Sequence, residues 1–222
     1  MLPYRVRPDK CALLIIDMNI DFVEAGAPLE LPSGRRIAPT IERLSQACRA
    51  AGVQVIYVVV AWSPDGSDMG RIGDFPVGRA GKNGKPAGCI YGTRGTDIYP
   101  PLTVAPSDII IHKRRYSCFS GTTLDAILKS RGIDTIVITG LAANGCCEST
   151  ARDAVDREYK VIFVSDAVGT ADLPDVGWGP LPEQQAMNAV LTVMSAAIAE
   201  VVSASNLLDR LTAQVNGPQA AR

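Results

Sequence analysis

Three residue types in this chain could together run acyl chemistry: a thiol at Cys146, a carboxyl at Asp17 and an amine at Lys113. Each follows an apolar run. Asp17 closes Cys11-Ala12-Leu13-Leu14-Ile15-Ile16, Lys113 closes Asp108-Ile109-Ile110-Ile111-His112, and Cys146 follows Thr135-Ile136-Val137-Ile138-Thr139 across the turn Gly140-Leu141-Ala142-Ala143-Asn144-Gly145. Small residues let that turn bend sharply, Asn144 offers an N-cap, and Cys146 then falls in the first turn of a helix. A thiol at the positive end of a helix ionises below its free value of about 8.5. The unpaired N–H groups of the same turn can face a developing oxyanion. Asp17 is the economical general base, because His112 is the single histidine of the chain, and Lys113 favours the thiolate electrostatically. Strand alternation turns His112 away from Lys113 and assigns it to packing. Cys147 falls on an apolar helix stripe, and Cys11, Cys48 and Cys89 read as small core residues. The vicinal pair Cys146-Cys147 lacks the spacer of a redox motif, and one histidine provides no zinc spacing, so neither metal nor cofactor is expected.

The elements that must position these groups alternate. Cys11 to Ile16 reads as a strand covered on both faces. Ile37, Ile41, Leu44, Cys48 and Ala51 recur at helical spacing, with Pro39 in the first turn and Gly52 as the stop. Val53 to Val60 is the next strand. From Trp62 to Pro106, nine glycines and six prolines interrupt every periodicity, which predicts one long irregular excursion that walls a site or meets another subunit. The strand ending at Lys113 follows, then a helix carrying Leu124, Ile127 and Leu128 behind a Thr122/Asp125 capping box and before Gly132. Thr135 to Thr139, the helix stripe Cys147, Ala151, Ala154 and Val155, and the strand Val161 to Val164 continue the alternation. Beyond Pro182, Met187, Val190, Leu191, Met194, Ile198 and Val201 trace a long closing helix. The pattern predicts one domain over residues 1–222, a three-layer α/β/α architecture with a mainly parallel sheet. Ligands of such folds bind outside the carboxyl ends of the strands, where Asp17, Lys113 and Cys146 all fall.

Composition narrows the partners. The chain has 222 residues, 47% of them hydrophobic, and a formal net charge of -1, which provides no global attraction to nucleic acid or to an anionic membrane. Its longest apolar run, Val53 to Trp62, falls far short of the roughly 20 residues that span a bilayer. The N-terminal segment lacks an apolar stretch with a cleavage site, so a cytoplasmic location is expected. Met18-Asn19-Ile20 stands where a nucleotide-binding fold would carry a Gly-rich phosphate loop. A catalytically silent interaction module is the remaining alternative from another class.

Three segments resemble the motifs of a known family in order and spacing, from about Cys11 through Asp166. They are Leu14-Ile15-Ile16-Asp17-Met18-Asn19 with Asp21-Phe22; His112-Lys113-Arg114-Arg115-Tyr116-Ser117 with Phe119, Gly121 and Thr122; and Gly140 to Cys146 followed by Glu148 to Ala154. The family is the isochorismatase-like cysteine hydrolases, which include nicotinamidase and the N-carbamoylsarcosine, ureidoacrylate and biuret amidohydrolases. The resemblance implies a Rossmann-like fold, an Asp17, Lys113 and Cys146 triad, a cis peptide bond between Leu141 and Ala142, and an oxyanion hole from the amides of Ala142 and Cys146. Where the nicotinamidase branch has an Asp and His metal cluster, this chain reads Ala61-Trp62-Ser63-Pro64-Asp65, which disfavours metal-dependent pyridine binding. Ala143 stands where many members have Thr. Arg115-Tyr116-Ser117 looks most like the ureidoacrylate and biuret branch, which implies hydrolysis of a ureido, carbamoyl or amide C–N bond through a thioester. The vinyl-ether hydrolase of the family is the rival, and its reaction needs no thiol nucleophile. By position near the motifs, Asn19, Phe22, Trp62, Arg115, Tyr116 and Phe119 are candidate substrate contacts, joined by Gln185 or its neighbour Gln184 before the last helix. Arg115 suits a substrate carboxylate. The resemblance also implies a homodimer or homotetramer acting on a small amide or ureide.

Overall fold

The computed structural model describes residues 4–75 and 85–216, without the side chains of 214–216. Its centre is β1 (Cys11–Ile16), buried at every position. Successive strand residues point to opposite faces, and here Cys11, Leu13 and Ile15 enter one hydrophobic core while Ala12, Leu14 and Ile16 enter another. A continuous apolar run is therefore what this strand requires. Each fully buried Leu or Ile contributes roughly 1.5–3 kcal/mol. Around β1 lie β2 (Gln54–Val60), β3 (Ile109–Lys113), β4 (Thr135–Leu141), β5 (Lys160–Gly169) and β6 (Glu200–Val202). The strand order is β3-β2-β1-β4-β5-β6, and every pairing is parallel.

Helices fill both faces. The first core packs α2 (Ser33–Ala51) and α6 (Ala204–Asn216) through Ile37, Ile41, Leu44, Leu207 and Leu211. The second packs α3 (Leu124–Ser130), α4 (Glu148–Asp156) and α5 (Glu183–Val193) through Leu124, Leu128, Ala151, Ala154 and Val190. A one-turn helix, α1 (Ile20–Val23), follows β1 directly. The result is the three-layer α/β/α, Rossmann-like arrangement with a parallel sheet. Because β2 and β3 lie on one side of β1 and β4 on the other, the connections diverge at the carboxyl ends of β1 and β4 and open a crevice there.

Several elements differ from the sequence reading. α2 starts at Ser33, so Pro39 lies inside the helix, on its exposed side, where the carbonyl it deprives of a donor can be hydrated. Gly34 packs in the first turn of this helix, where a Cβ would come within 2.9 Å of Leu141 Cδ1 and glycine permits the close approach. The capping box at Thr122 does not form. The Thr122 hydroxyl donates to Cys118 O and accepts from Leu124 N, while Asp125 turns to Lys129 and Tyr159. The closing helix ends before Val201. α5 runs into a π-turn (Met194–Ile198), the chain then forms β6 beside β5, and α6 closes it. Phe163 pairs with Val201 in that edge, and Asp166 accepts from Ala204 N, which anchors the turn into α6.

Within the excursion after β2, short 3-10 turns occur at Gly70–Asp74 and Arg94–Thr96. The Asp21 carboxylate pins it, accepting from Cys89 N at 2.6 Å, and a Cβ at Gly95 would fall 2.0 Å from Asp21 Oδ2. A side chain at that crossing would have to displace the Asp21 carboxylate. Among the described residues, no helix is long and apolar enough to cross a membrane.

Candidate active site

Gly140 brings two of the three reactive groups together. It has φ of 107°, and a Cβ there would lie 2.0 Å from Ile16 O, so the end of β4 can close on the end of β1 at this position with glycine alone. Asp17, one residue beyond β1, has φ of 52°, a left-handed conformation that Asp tolerates better than most residues. Its carboxylate accepts from Val60 N at 2.9 Å at the end of β2, and from Lys113 Nζ at 2.8 Å. Lys113 ends β3, on the far side of β2 from β1, and a long side chain is needed to cross that strand. After β4 the chain enters a π-turn (Ala143–Cys147) that leads into α4 and holds Cys146. The peptide bond between Leu141 and Ala142 is cis.

Lys113 Nζ is the hub. It donates to Asp17 Oδ2 at 2.8 Å, to Cys146 Sγ at 3.1 Å and to Arg115 O at 3.1 Å. An ammonium has three N–H donors, and these acceptors use all of them. Lys113 is 0% exposed, Asp17 and Cys146 1%. Burial opposes the lysine charge most strongly, but Asp17 and Cys146 outweigh it and hold the ammonium above its ordinary value. Burial pushes Cys48 and Cys118 up to about 12 and raises Cys11, Cys89 and Cys147 as well. In the turn itself, Gly145 N and Cys147 N both donate to Ala142 O. Asn144 does not cap α4; its Oδ1 accepts from Thr170.

Beside this turn opens a cavity of about 500 Å³ lined by Phe22, Tyr116, Ala142, Asn144, Gly145 and Thr170 among others. Of the candidate substrate contacts, Phe22 and Tyr116 thus face it. The others are placed elsewhere. Trp62 is fully buried, donating to Arg114 O at 3.4 Å. Phe119 stacks on Tyr159 at 5.6 Å with the Arg157 guanidinium over its ring. Arg115 Nη1 donates to the carbonyls of Asp68 and Met69, fixing the excursion rather than awaiting a carboxylate. Gln185 is exposed on α5, outside the cavity lining. Asn19 is buried, with Nδ2 donating to Gly95 O at 2.8 Å and to Cys89 Sγ. His112 packs edge-on to Tyr91 at 5.2 Å. The cavity wall formed by Thr170, Ala171, Asp172 and Leu173 had no motif to announce it, because the extension of β5 through Gly169 carries no apolar periodicity. Among the described residues, no group of three or more His, Cys, Asp or Glu side chains is arranged to hold a metal ion.

A parallel sheet with an acid, a buried lysine and a cysteine at its carboxyl edge defines a class, and comparison with known proteins gives it a family. The isochorismatase domain model matches residues 11–205, and the chain belongs to that family. It is 35% identical over 198 residues to a ureidoacrylate amidohydrolase RutB of Methylorubrum extorquens, covering 81% of this chain and 80% of that protein. The crystal structure of a cysteine hydrolase from Pseudomonas syringae pv. phaseolicola 1448A superposes with a TM-score of 0.89 at 34% identity, over 95% of this chain and 96% of that one. N-carbamoylsarcosine amidase from Thermoplasma acidophilum does so with a TM-score of 0.67 at 28% identity, over 88% of this chain and 96% of that one.

Proposed function

We propose that this chain is a cysteine-dependent amidohydrolase that releases ammonia from a small carbamoyl, ureido or amide compound, in a single hydrolase domain spanning residues 1–222. The observation that carries the reading is the Lys113 ammonium, which touches both the Asp17 carboxylate and the Cys146 sulfur inside a water-poor site. Asp17 takes the thiol proton, and the ammonium stabilises the thiolate. The sulfur attacks the substrate carbonyl carbon, and the amides of Ala142 and Cys146 receive the developing oxyanion. The C–N bond breaks, ammonia departs with the proton returned by Asp17, and a thioester remains on Cys146. Asp17 then deprotonates water, which attacks the thioester and releases the acid and the thiol. For a ureide the released carbamic acid breaks down to an amine and carbon dioxide. Phe22 and Tyr116 supply the apolar and aromatic wall that seats the substrate.

The names of the relatives support this reading: one acts as a ureidoacrylate amidohydrolase and another is an N-carbamoylsarcosine amidase. A homo-oligomer is part of the same proposal. Leu173 and Leu181 pair across a hairpin whose tip exposes 95% of Trp178 and 69% of Val176, and no Lys or Arg occurs between Lys160 and Arg210. A cation-free apolar tip suits a protein surface rather than an anionic lipid or nucleic acid. The test is an ammonia-release screen over biuret, ureidoacrylate-type ureides, N-carbamoyl amino acids, maleamate and nicotinamide, with Cys146→Ala as control. Turnover of a ureido or carbamoyl compound, lost in the control, is expected. Cleavage of isochorismate with none of these turned over would overturn the assignment.

A further inference from the structure

The lysine and the nucleophile belong to segments far apart in the chain, and nothing in the strand pairing fixes residues 115–118 against α4. Side chains on α4 do. The Thr150 hydroxyl, fully buried, donates to Cys146 O at 2.6 Å and accepts from Cys118 N at 3.0 Å. One turn further along the same helix, Asp153 Oδ2 accepts from Ser117 Oγ at 2.6 Å, and Ser117 Oγ in turn accepts from Phe119 N at 3.1 Å. A threonine that bonds only the carbonyl four residues back is an ordinary helix feature. A second bond to the amide of another segment is not part of that habit, and its loss would leave the buried Cys118 N–H without a partner.

The strapped segment has two tasks in the site. Arg115 O is the third acceptor of Lys113, and Tyr116 lines the cavity. We propose that Thr150 and Asp153 form a clasp that positions the Lys113 segment on the nucleophile helix, so that both are positioning residues for the chemistry of Cys146. The proposal rests on the amidohydrolase reading for its meaning but has a readout of its own. Thr150 sets the lysine against the sulfur, because its hydroxyl joins the Cys146 carbonyl to the Cys118 amide. Asp153 sets the cavity wall, because it reaches the segment through Ser117, next to Tyr116.

The experiment follows iodoacetamide alkylation of Cys146 against pH, with kcat and KM for ammonia release measured in parallel. In Thr150→Val, which keeps the shape and removes the hydroxyl, the alkylation profile is expected to move up by about one pH unit and kcat to fall about tenfold, with a smaller change in KM. Thr150→Ser is expected to restore both. Ser117→Ala, at a half-buried position, is expected to raise KM several-fold with little change in kcat. A Thr150→Val protein with the wild-type profile and kcat would overturn the clasp, as would a Thr150→Ser protein that behaves like Thr150→Val. Should Thr150→Val fail to fold, an unchanged KM in Ser117→Ala would overturn it instead. A wild-type Cys146 that does not alkylate would remove the hydrolase reading itself, an outcome distinct from reactive wild type with unaltered variants.

Discussion

Lys113 is the residue on which the site turns, because a buried ammonium is tolerated where all of its donors find acceptors, and here these include a carboxylate and a sulfur. Lys113→Met keeps much of the stem and removes the charge, leaving Asp17 buried without its cation. It is expected to lower kcat by at least about 100-fold, to slow alkylation of Cys146 below neutral pH, and to destabilise the fold by about 3 kcal/mol or more, checked by kinetics and chemical denaturation. In the wild type, alkylation at pH 6 is expected to mark Cys146 before any other cysteine, since burial raises the other five. Peptide mapping after a short exposure checks this, and early labelling of Cys118 or Cys147 would contradict it. Asp17, Lys113 and Cys146 were legible in the sequence because each follows an apolar strand, and a parallel sheet carries strand ends to one edge. Trp62, Phe119 and Gln185 were not, because nearness to a motif does not reveal which way a side chain points: Trp62 turned into the core and Gln185 to solvent.

At the scale of elements, the approach of β4 to β1 depends on Gly140. Gly140→Ala would place a methyl group against the Ile16 backbone at a φ unfavourable to alanine, and is expected to cost about 3 kcal/mol or more, or to abolish soluble expression. Denaturant titration reads that cost. The excursion after β2 is held by Asp68, which accepts from Ser63 N and Oγ and from Arg114 Nε. Burial tends to raise its pKa, but the Ser63 amide and Arg114 outweigh that and hold it below the ordinary 3.8. A depressed carboxylate stabilises the fold above the ordinary value, and that stability is lost as pH falls through the folded value. Asp68→Asn is therefore expected to lower the thermal midpoint at pH 7, by the equivalent of about 1 kcal/mol, with the difference from wild type shrinking below pH 3.8. The inner strands and the amphipathic helices were readable from periodicity. β6 was not, since a three-residue strand carries too little pattern to separate it from the helix before it. The capping box at Thr122 failed because the helix begins at Leu124 with Thr123 at the N-cap, which leaves Thr122 outside it and Asp125 at its second rather than third position.

At the scale of the whole molecule, the sheet order places the reactive edge beside the hairpin that exposes Trp178, and the base of that hairpin at Leu173 lines the cavity. Trp178→Ser is expected to lower the assembly state seen by light scattering from a dimer or tetramer toward the monomer, and a wild-type monomer would remove the oligomer from the account. The fold, and the sheet edge that gathers Asp17, Lys113 and Cys146, were open to sequence reasoning, whereas the exposed apolar hairpin at Trp178 has no periodicity that would mark it in the sequence. The most direct test of the central claim is an acid quench during turnover of a carbamoyl or ureido substrate, followed by peptide mapping. The account predicts an acyl mass on the peptide that contains Cys146, absent from Cys146→Ala, which releases no ammonia. Ammonia release by Cys146→Ala at the wild-type rate would contradict it.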